Sequence, residues 1–237
     1  MESSDLTPSV WRTCRVLANR NRLCLLRQVI LHGPLAVAEA AQQAGVSEIT
    51  ATLGLRALQS RGLLTSLRDS RWVRYAATPD QLVSHAAAFL ALTTQAIQNE
   101  TDQAEMRHAF TAFTHPRRIR VVQTLASAPA SNANLADRSG ISLPALRRHL
   151  AKLVRRDLVT RDFQHRWSLT IPASPLRRDL LLLILGARTA SAHTFEGVSG
   201  SQPARSSANT APQSPKAVIA HRTPHRPTMR RIVASPL

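Results

Sequence analysis

The sequence predicts a mainly α chain with small β-hairpins, an α+β fold made of two copies of one helix-rich unit followed by a polar tail. Three observations predict it: an internal repeat, helix-period apolar patterning interrupted at the same places in both copies, and a composition change near residue 189.

The repeat sets the organisation. Residues 17–29 (LANRNRLCLLRQV) align with residues 113–125 (FTHPRRIRVVQTL), sharing an arginine and three aliphatic positions. After a one-residue deletion near Ala126, Pro34 matches Pro129 and Gly45-Val46-Ser47 matches Gly140-Ile141-Ser142. Leu55, Leu58 and Leu63 match Leu150, Leu153 and Leu158, and Trp72 matches Trp167. The expected boundaries are unit one at 1–80, a helical linker at 81–104, unit two with a C-terminal helix at 105–188, and a basic tail at 189–237.

In the first unit, residues 20–31 read as an amphipathic helix broken at Gly33-Pro34, and 37–43 as a short Ala-rich helix. Gly45 makes a turn, Ser47 caps a helix running to about Arg61, and Gly62 ends it. Runs of β type at 63–68 and 71–76, joined at Asp69-Ser70, read as a hairpin. The second unit repeats the order. Pro116 opens the first helix, Gly140 marks the turn, Ser142 is the cap with Pro144 in the first turn, and a hairpin crosses 162–166.

A short helix, a glycine turn and a capped second helix make a helix-turn-helix, whose second helix enters the major groove of DNA. The hairpin is then a wing, giving two tandem winged helix-turn-helix units. The stretch SLPALRRHLAKLVRRDLVTRD (142–162) resembles the ArsR/SmtB family of winged-helix repressors, with Arg148-His149-Leu150 standing where that family carries Arg-His-Leu. The resemblance covers residues 8–80 and 105–172. It implies a sequence-specific double-stranded DNA-binding transcriptional regulator, a repressor, with two units acting as an internal pseudo-dimer.

Charge points to the same partner. The chain carries 31 basic and 14 acidic residues, a formal +17. Residues 1–79 hold 10 basic and 5 acidic groups, 80–187 hold 14 and 8, and 188–237 hold 7 and 1, so the folded part is basic as well as the tail. A polyanion such as nucleic acid is the favoured partner, ahead of an anionic membrane surface.

At 100° per residue, Leu146, Leu150 and Leu153 share one side of the second unit's capped helix and face the core. Pro144, Arg148, Ala151 and Arg155 then project outward, flanked by Arg147 and Lys152, with His149 at the core boundary. Arginine binds guanine bidentately or clamps phosphate, so Pro144, Arg147, Arg148, His149 and Lys152 are the candidate DNA contacts of this unit. In the first unit Ala51, Leu55 and Leu58 point inward, leaving Ile49, Leu53, Arg56 and Ser60 outward with Thr52 beside them. Leu53-Gly54 replaces Arg-His, and Gly54 costs the helix about 1 kcal/mol relative to Ala. This unit is expected to read DNA weakly, through Thr50, Thr52 and the wing arginines Arg68, Arg71 and Arg74. Outward Ile49 and Leu53 meet either thymine methyls or another protein. Trp72 and Trp167 are expected to pack on their own units rather than stack on bases.

Residues 80–113, with Leu82, Ala86, Phe89, Leu90, Leu92 and Ile97, are expected to supply the last helix of unit one, the first of unit two and the interface between them. Ser174 and Pro175 start a last helix whose apolar run 180–185 is buried either internally or in a homodimer. Relatives sense metals through cysteines or His and carboxylate sets, and this chain departs from both patterns: 35–43 holds no cysteine, and the nine histidines are scattered, with His221 and His225 in the tail. No metal or cofactor is assigned, and any small-molecule effector is left open. Cys24 is expected in the core, with Cys14 the alternative candidate for a reactive thiol.

The tail is rich in Ser, Thr, Ala, Pro, Arg and His and is expected to be disordered. No basic-then-apolar leader and no spanning-length apolar run is present, so a cytoplasmic, nucleoid-associated protein without a membrane partner is expected. An enzyme is not expected, for no glycine-rich phosphate loop, zinc-type His-Glu spacing or nucleophile elbow occurs. Aromatic residues at 4% disfavour single-stranded RNA. The rival is a structural adaptor of chromosome organisation that binds proteins through tandem winged helices.

Overall fold

The computed structural model describes residues 9–69 and 72–186. Its first half contains helices α1 (Val10–Leu17), α2 (Arg20–His32), α3 (Val37–Ala44) and α4 (Glu48–Gln59), a two-residue strand β1 (Leu35–Ala36), and the hairpin β2 (Thr65–Asp69) and β3 (Trp72–Ala76). Helices α5 (Ala86–Gln98) and α6 (Gln103–Thr111) follow. Then come α7 (Pro116–Ser127), α8 (Asn132–Ser139), α9 (Leu143–Val154), the hairpin β4 (Val159–Arg161) and β5 (Trp167–Leu169), and α10 (Pro175–Ile184). The fold is α+β, mainly helical, and the order helix, helix, helix, hairpin occurs twice.

The helix starts follow from local chemistry. Asn19 accepts a hydrogen bond from the Arg22 N–H (3.1 Å) at the start of α2, and Ser47 accepts one from the Thr50 N–H (3.3 Å) at the start of α4. Ser142 stands at the N-cap of α9 without a side-chain bond, and Pro144 fills the first turn. Between α3 and α4, and again between α8 and α9, the chain turns through Gly45 and Gly140, both at φ +63°. That left-handed conformation is why glycine stands at both turns.

The two hairpins differ in length, which overturns one alignment. Register pairs Leu35 with Tyr75 and Ser66 with Tyr75 in the first sheet. In the second, Ala130 bridges to Trp167 and Arg161 pairs with Trp167. Trp167 therefore occupies the place of Tyr75, and the Trp72–Trp167 match in sequence is a coincidence of spacing. Trp167 packs on its own unit as expected: its Nε1–H donates to Asn132 Oδ1 (2.8 Å), and the Arg161 guanidinium covers the ring at 5.6 Å. Trp72 does not. It lies beyond the buried part of the longer hairpin and is 65% exposed.

One buried apolar cluster runs from Cys14 to Ile184 and includes both three-helix sets. Helix α2 packs on α3 and α4, α7 packs on α8 and α9, α1 lies on α6, and α10 lies on α5 and α6. Ala86, Phe89, Leu90 and Ile97 are buried in α5, as expected, whereas Leu82 stands free in the loop before it, 94% exposed. Leu180, Leu181 and Ile184 of α10 are buried within the chain, leaving Leu182 exposed.

Three polar ties hold the middle together. Arg177 of α10 makes a bidentate pair with Glu105 of α6 (2.8 and 2.6 Å) and reaches Asp157 (3.3 Å). The pair holds the Glu105 carboxyl below its usual range, chiefly through the hydrogen bonds from Arg177. Gln103 of α6 donates to the Arg20 carbonyl (3.3 Å). Arg118 of α7 is buried, donating through Nε to the Ala112 carbonyl (2.6 Å) and through Nη2 to the Thr111 carbonyl (2.9 Å) and Thr114 Oγ1. Its charge is met by carbonyls at the C-terminal end of α6, where the helix dipole favours a cation.

The cysteines exchange their expected places. Cys14, the candidate reactive thiol, is fully buried, and that burial pushes its thiol far above the ordinary range. Cys24 is half-buried, with its thiol directed at the Ala44 carbonyl (3.7 Å). Among the described residues no helix is long and apolar enough to cross a membrane. The tail beyond residue 186, with His221 and His225, lies outside the described residues.

Candidate nucleic-acid interface

Helix α9 is held by Ala145, Leu146, Leu150 and Leu153, all buried, so its opposite face is fixed toward solvent. Pro144, Arg147, Arg148, Ala151, Lys152 and Arg155 are exposed there, as the helical spacing requires. Between Asp137 and Asp157 the chain carries no acidic residue. Four cations thus share one helix face without local neutralisation, an arrangement that suits a phosphate-lined groove.

His149 sits half-buried at the edge of this face, beside the N-terminus of α7. Its ring centroid is 4.8 Å from that of His115, with the planes tilted by 46°. His115 is the N-cap of α7, its Nδ1 accepting the Arg117 N–H (3.1 Å), so that nitrogen carries no proton. The Nδ1 of His149 is buried without a hydrogen-bond partner. Burial first, then His115, Arg118, Arg117 and Lys152, push His149 down to about 4, and His115 is lowered by burial and the same cations. Both rings are therefore neutral near pH 7. Arg117, exposed at the start of α7, joins the field around this pair and is the residue that sequence reasoning missed. Its signal was available: Pro116 opens α7, which places Arg117 in the first turn, next to the cap.

The first three-helix set presents different chemistry on α4. Ala51, Leu55 and Leu58 are buried, Arg56 is exposed, and Ile49 and Leu53 are 76% and 65% exposed. Thr50 shares a hydrogen bond with Ser47 (2.9 Å), and the Thr52 hydroxyl donates back to the Glu48 carbonyl (2.8 Å). Gly54, aligned with His149, is a packing residue: a Cβ there would lie 2.5 Å from Leu25 Cδ1. The missing side chain lets α4 lie close against α2.

The arginines expected on the first hairpin are not equivalent. Arg68 is exposed on β2, and Arg71 lies outside the described residues. Arg74 points to the body of the unit, with Nη1 3.0 Å from Glu39 Oε2 and 3.2 Å from the Pro34 carbonyl. Glu39 Oε2 also accepts the Ala36 N–H (2.8 Å), so this pair ties β3 to the start of α3. The structure therefore sets Pro144, Arg147, Arg148 and Lys152 on the exposed face of α9, with Arg117 and Lys152 both acting on His149 at its edge, places Thr50, Thr52 and Arg68 on the first three-helix set and its hairpin, and commits Arg74 to an internal contact. At the second hairpin, Arg166 pairs with Asp162 (3.4 Å) and Phe163 projects from the tip, 90% exposed.

No curated protein matches the chain. Residues 113–162, from just after α6 through α7, α8, α9 and β4, match the family model described as a helix-turn-helix domain. Because that element is a DNA-binding one, the match points to a DNA-binding regulator.

Proposed function

We propose that this protein is a sequence-specific double-stranded DNA-binding transcriptional regulator, a repressor of the ArsR/SmtB kind, in which two winged helix-turn-helix units in one chain act as a pseudo-dimer. The observation that carries the reading is the face of α9: Arg147, Arg148 and Lys152 exposed, with no acidic residue in the sequence between Asp137 and Asp157, on a helix whose other side is locked into the core. Arg147 and Arg148 address base edges or phosphates, Lys152 and Arg117 take phosphates, and Pro144 approaches the groove at the helix start. The first unit contributes less, through Thr50, Thr52 and Arg68. The protein acts at the nucleoid in the cytoplasm, without a metal or cofactor.

A second copy docking on α10 would meet the side that exposes Leu182, since Leu180, Leu181 and Ile184 are already covered. Selection from a random duplex pool tests the reading, with enrichment of a defined motif as the expected result and undiminished randomness as the contrary one. Within an enriched site, Arg148→Ala is expected to lose roughly tenfold to a hundredfold in affinity, the worth of a bidentate base contact, and Thr52→Ala clearly less. Equal losses would remove the division of labour between the units.

A second reading has its own support. Ile49 and Leu53 on α4, together with Leu67, Trp72 and Val73 on the first hairpin, expose large apolar side chains that a phosphate backbone does not need. In that reading the first unit is an adaptor surface for a protein partner. It predicts that Ile49→Ser/Leu53→Ser leaves DNA affinity unchanged.

A further inference from the structure

We infer that the cleft between α5, the start of α6 and α10 binds a small amphipathic organic cation, with its ammonium or amidinium group on Asp179 and its apolar part on Leu92, Ala96 and Leu176. The cleft has a volume of about 380 Å³. That lies within the range of roughly 300–1,000 Å³ typical of small-molecule sites. Ala96 and Leu176 are buried and Leu92 is half-buried, which gives the cleft apolar walls. Gln95 and Asn99, both exposed, add amide groups that can donate and accept.

The charge on these walls is one-sided. In a chain with 31 basic and 14 acidic residues, no Lys, Arg or His lines the cleft among the described residues. Two carboxylates do, Glu105 and Asp179. Glu105 is committed, because Arg177 binds both of its oxygens and the Ser174 hydroxyl at the N-cap of α10 also favours its charged form. The positive end of α10 thus already has its anion. Asp179, half-buried in the second turn of α10, makes no ion pair and no side-chain hydrogen bond among the described residues. The arginines before it in the chain are engaged elsewhere, Arg177 with Glu105 and Asp157, and Arg178 with the Ala173 carbonyl (3.5 Å).

A cation with an apolar body suits both halves of this cleft. Its head group gives Asp179 a charge-assisted hydrogen bond, and its body removes the apolar walls from water. The C-terminal end of α5, at Asn99, also lines the cleft, and a helix C-terminus favours positive charge. Binding does not depend on the DNA reading, and its test uses no DNA.

Three probes share one ring and chain length and differ in head-group charge: 2-phenylethylammonium, 2-phenylethanol and phenylacetate. Each is titrated into the full chain at constant ionic strength at pH 7, followed by calorimetry and by Tm. The expected result is saturable binding of the ammonium probe, at least roughly tenfold weaker binding of the alcohol, and weaker binding still of phenylacetate. Asp179→Asn is expected to bring the ammonium probe down to the level of the alcohol, whereas Asp137→Asn, which removes an exposed carboxylate outside the cleft, keeps the preference. The Tm of each variant without probe identifies one that fails to fold, and the charge series on the wild-type chain stands without any variant. No saturable binding of the ammonium probe, equal binding of all three, an undiminished preference in Asp179→Asn, or an equal loss in Asp137→Asn would overturn the proposal.

Discussion

The imidazole of His149 on α9 lies against that of His115 at the cap of α7, 4.8 Å between centroids, with no acidic group among the causes that shift either ring. The contact joins the basic helix face to the first helix of its unit, and it works only while the rings are neutral. His149 titrates near 4 in the folded chain, against an ordinary value of 6.5, and His115 is shifted in the same direction. Between those pH values the unfolded chain binds the proton and the folded chain does not. The stability contributed is thus complete above about pH 6.5 and is lost as pH falls toward 4. Thermal unfolding followed from pH 7 to 4.5 should show this decline, and His149→Gln should flatten it. An unchanged profile in the variant would mean that the pair does not govern the acid sensitivity.

The two tryptophans should respond oppositely to removal. Trp72→Ala at the exposed hairpin end is expected to change stability by less than about 0.5 kcal/mol, the range of ordinary surface substitutions. Trp167→Ala removes a half-buried ring and its bond to Asn132, and is expected to cost roughly 2 kcal/mol, below the range for fully buried aromatics. Chemical denaturation of both variants checks this, and a larger loss at Trp72 would contradict the register that equates Trp167 with Tyr75.

Gly54→Ala should destabilise the chain even though alanine favours helix by about 1 kcal/mol. The added Cβ meets Leu25 Cδ1 at 2.5 Å, and Leu25 is fully buried, so the clash cannot be relieved into solvent. Overpacking costs about 1–3 kcal/mol and outweighs the propensity gain. A lower Tm is the expected outcome, and a higher one would show that Leu25 has room to move.

These residues also show what the sequence made legible. Helices α2, α3, α4 and α7 through α10 follow from periodicity, caps and the glycine turns because each depends on residues within a few positions of one another. The outward set on α9 was legible for the same reason. Strand β1 was not, since two residues, Leu35 and Ala36, carry no periodic signal and become a strand only when β3 arrives beside them. Nor was the commitment of Arg74 to Glu39, 35 residues away, or the burial of Arg118 against the end of α6. Hairpin register misled for a related reason: a matched tryptophan spacing outweighed a difference in loop length that only the strand pairing reveals.

Binding of the purified chain to genomic DNA fragments across a salt series, wild type against Arg147→Ala/Arg148→Ala, tests most directly whether α9 reads sequence. Wild type should select particular fragments above a salt-sensitive background, and the double variant should keep the background and lose the selection. If both proteins bind every fragment alike, the basic face of α9 is a phosphate tether only, and the claim that this helix reads sequence is wrong.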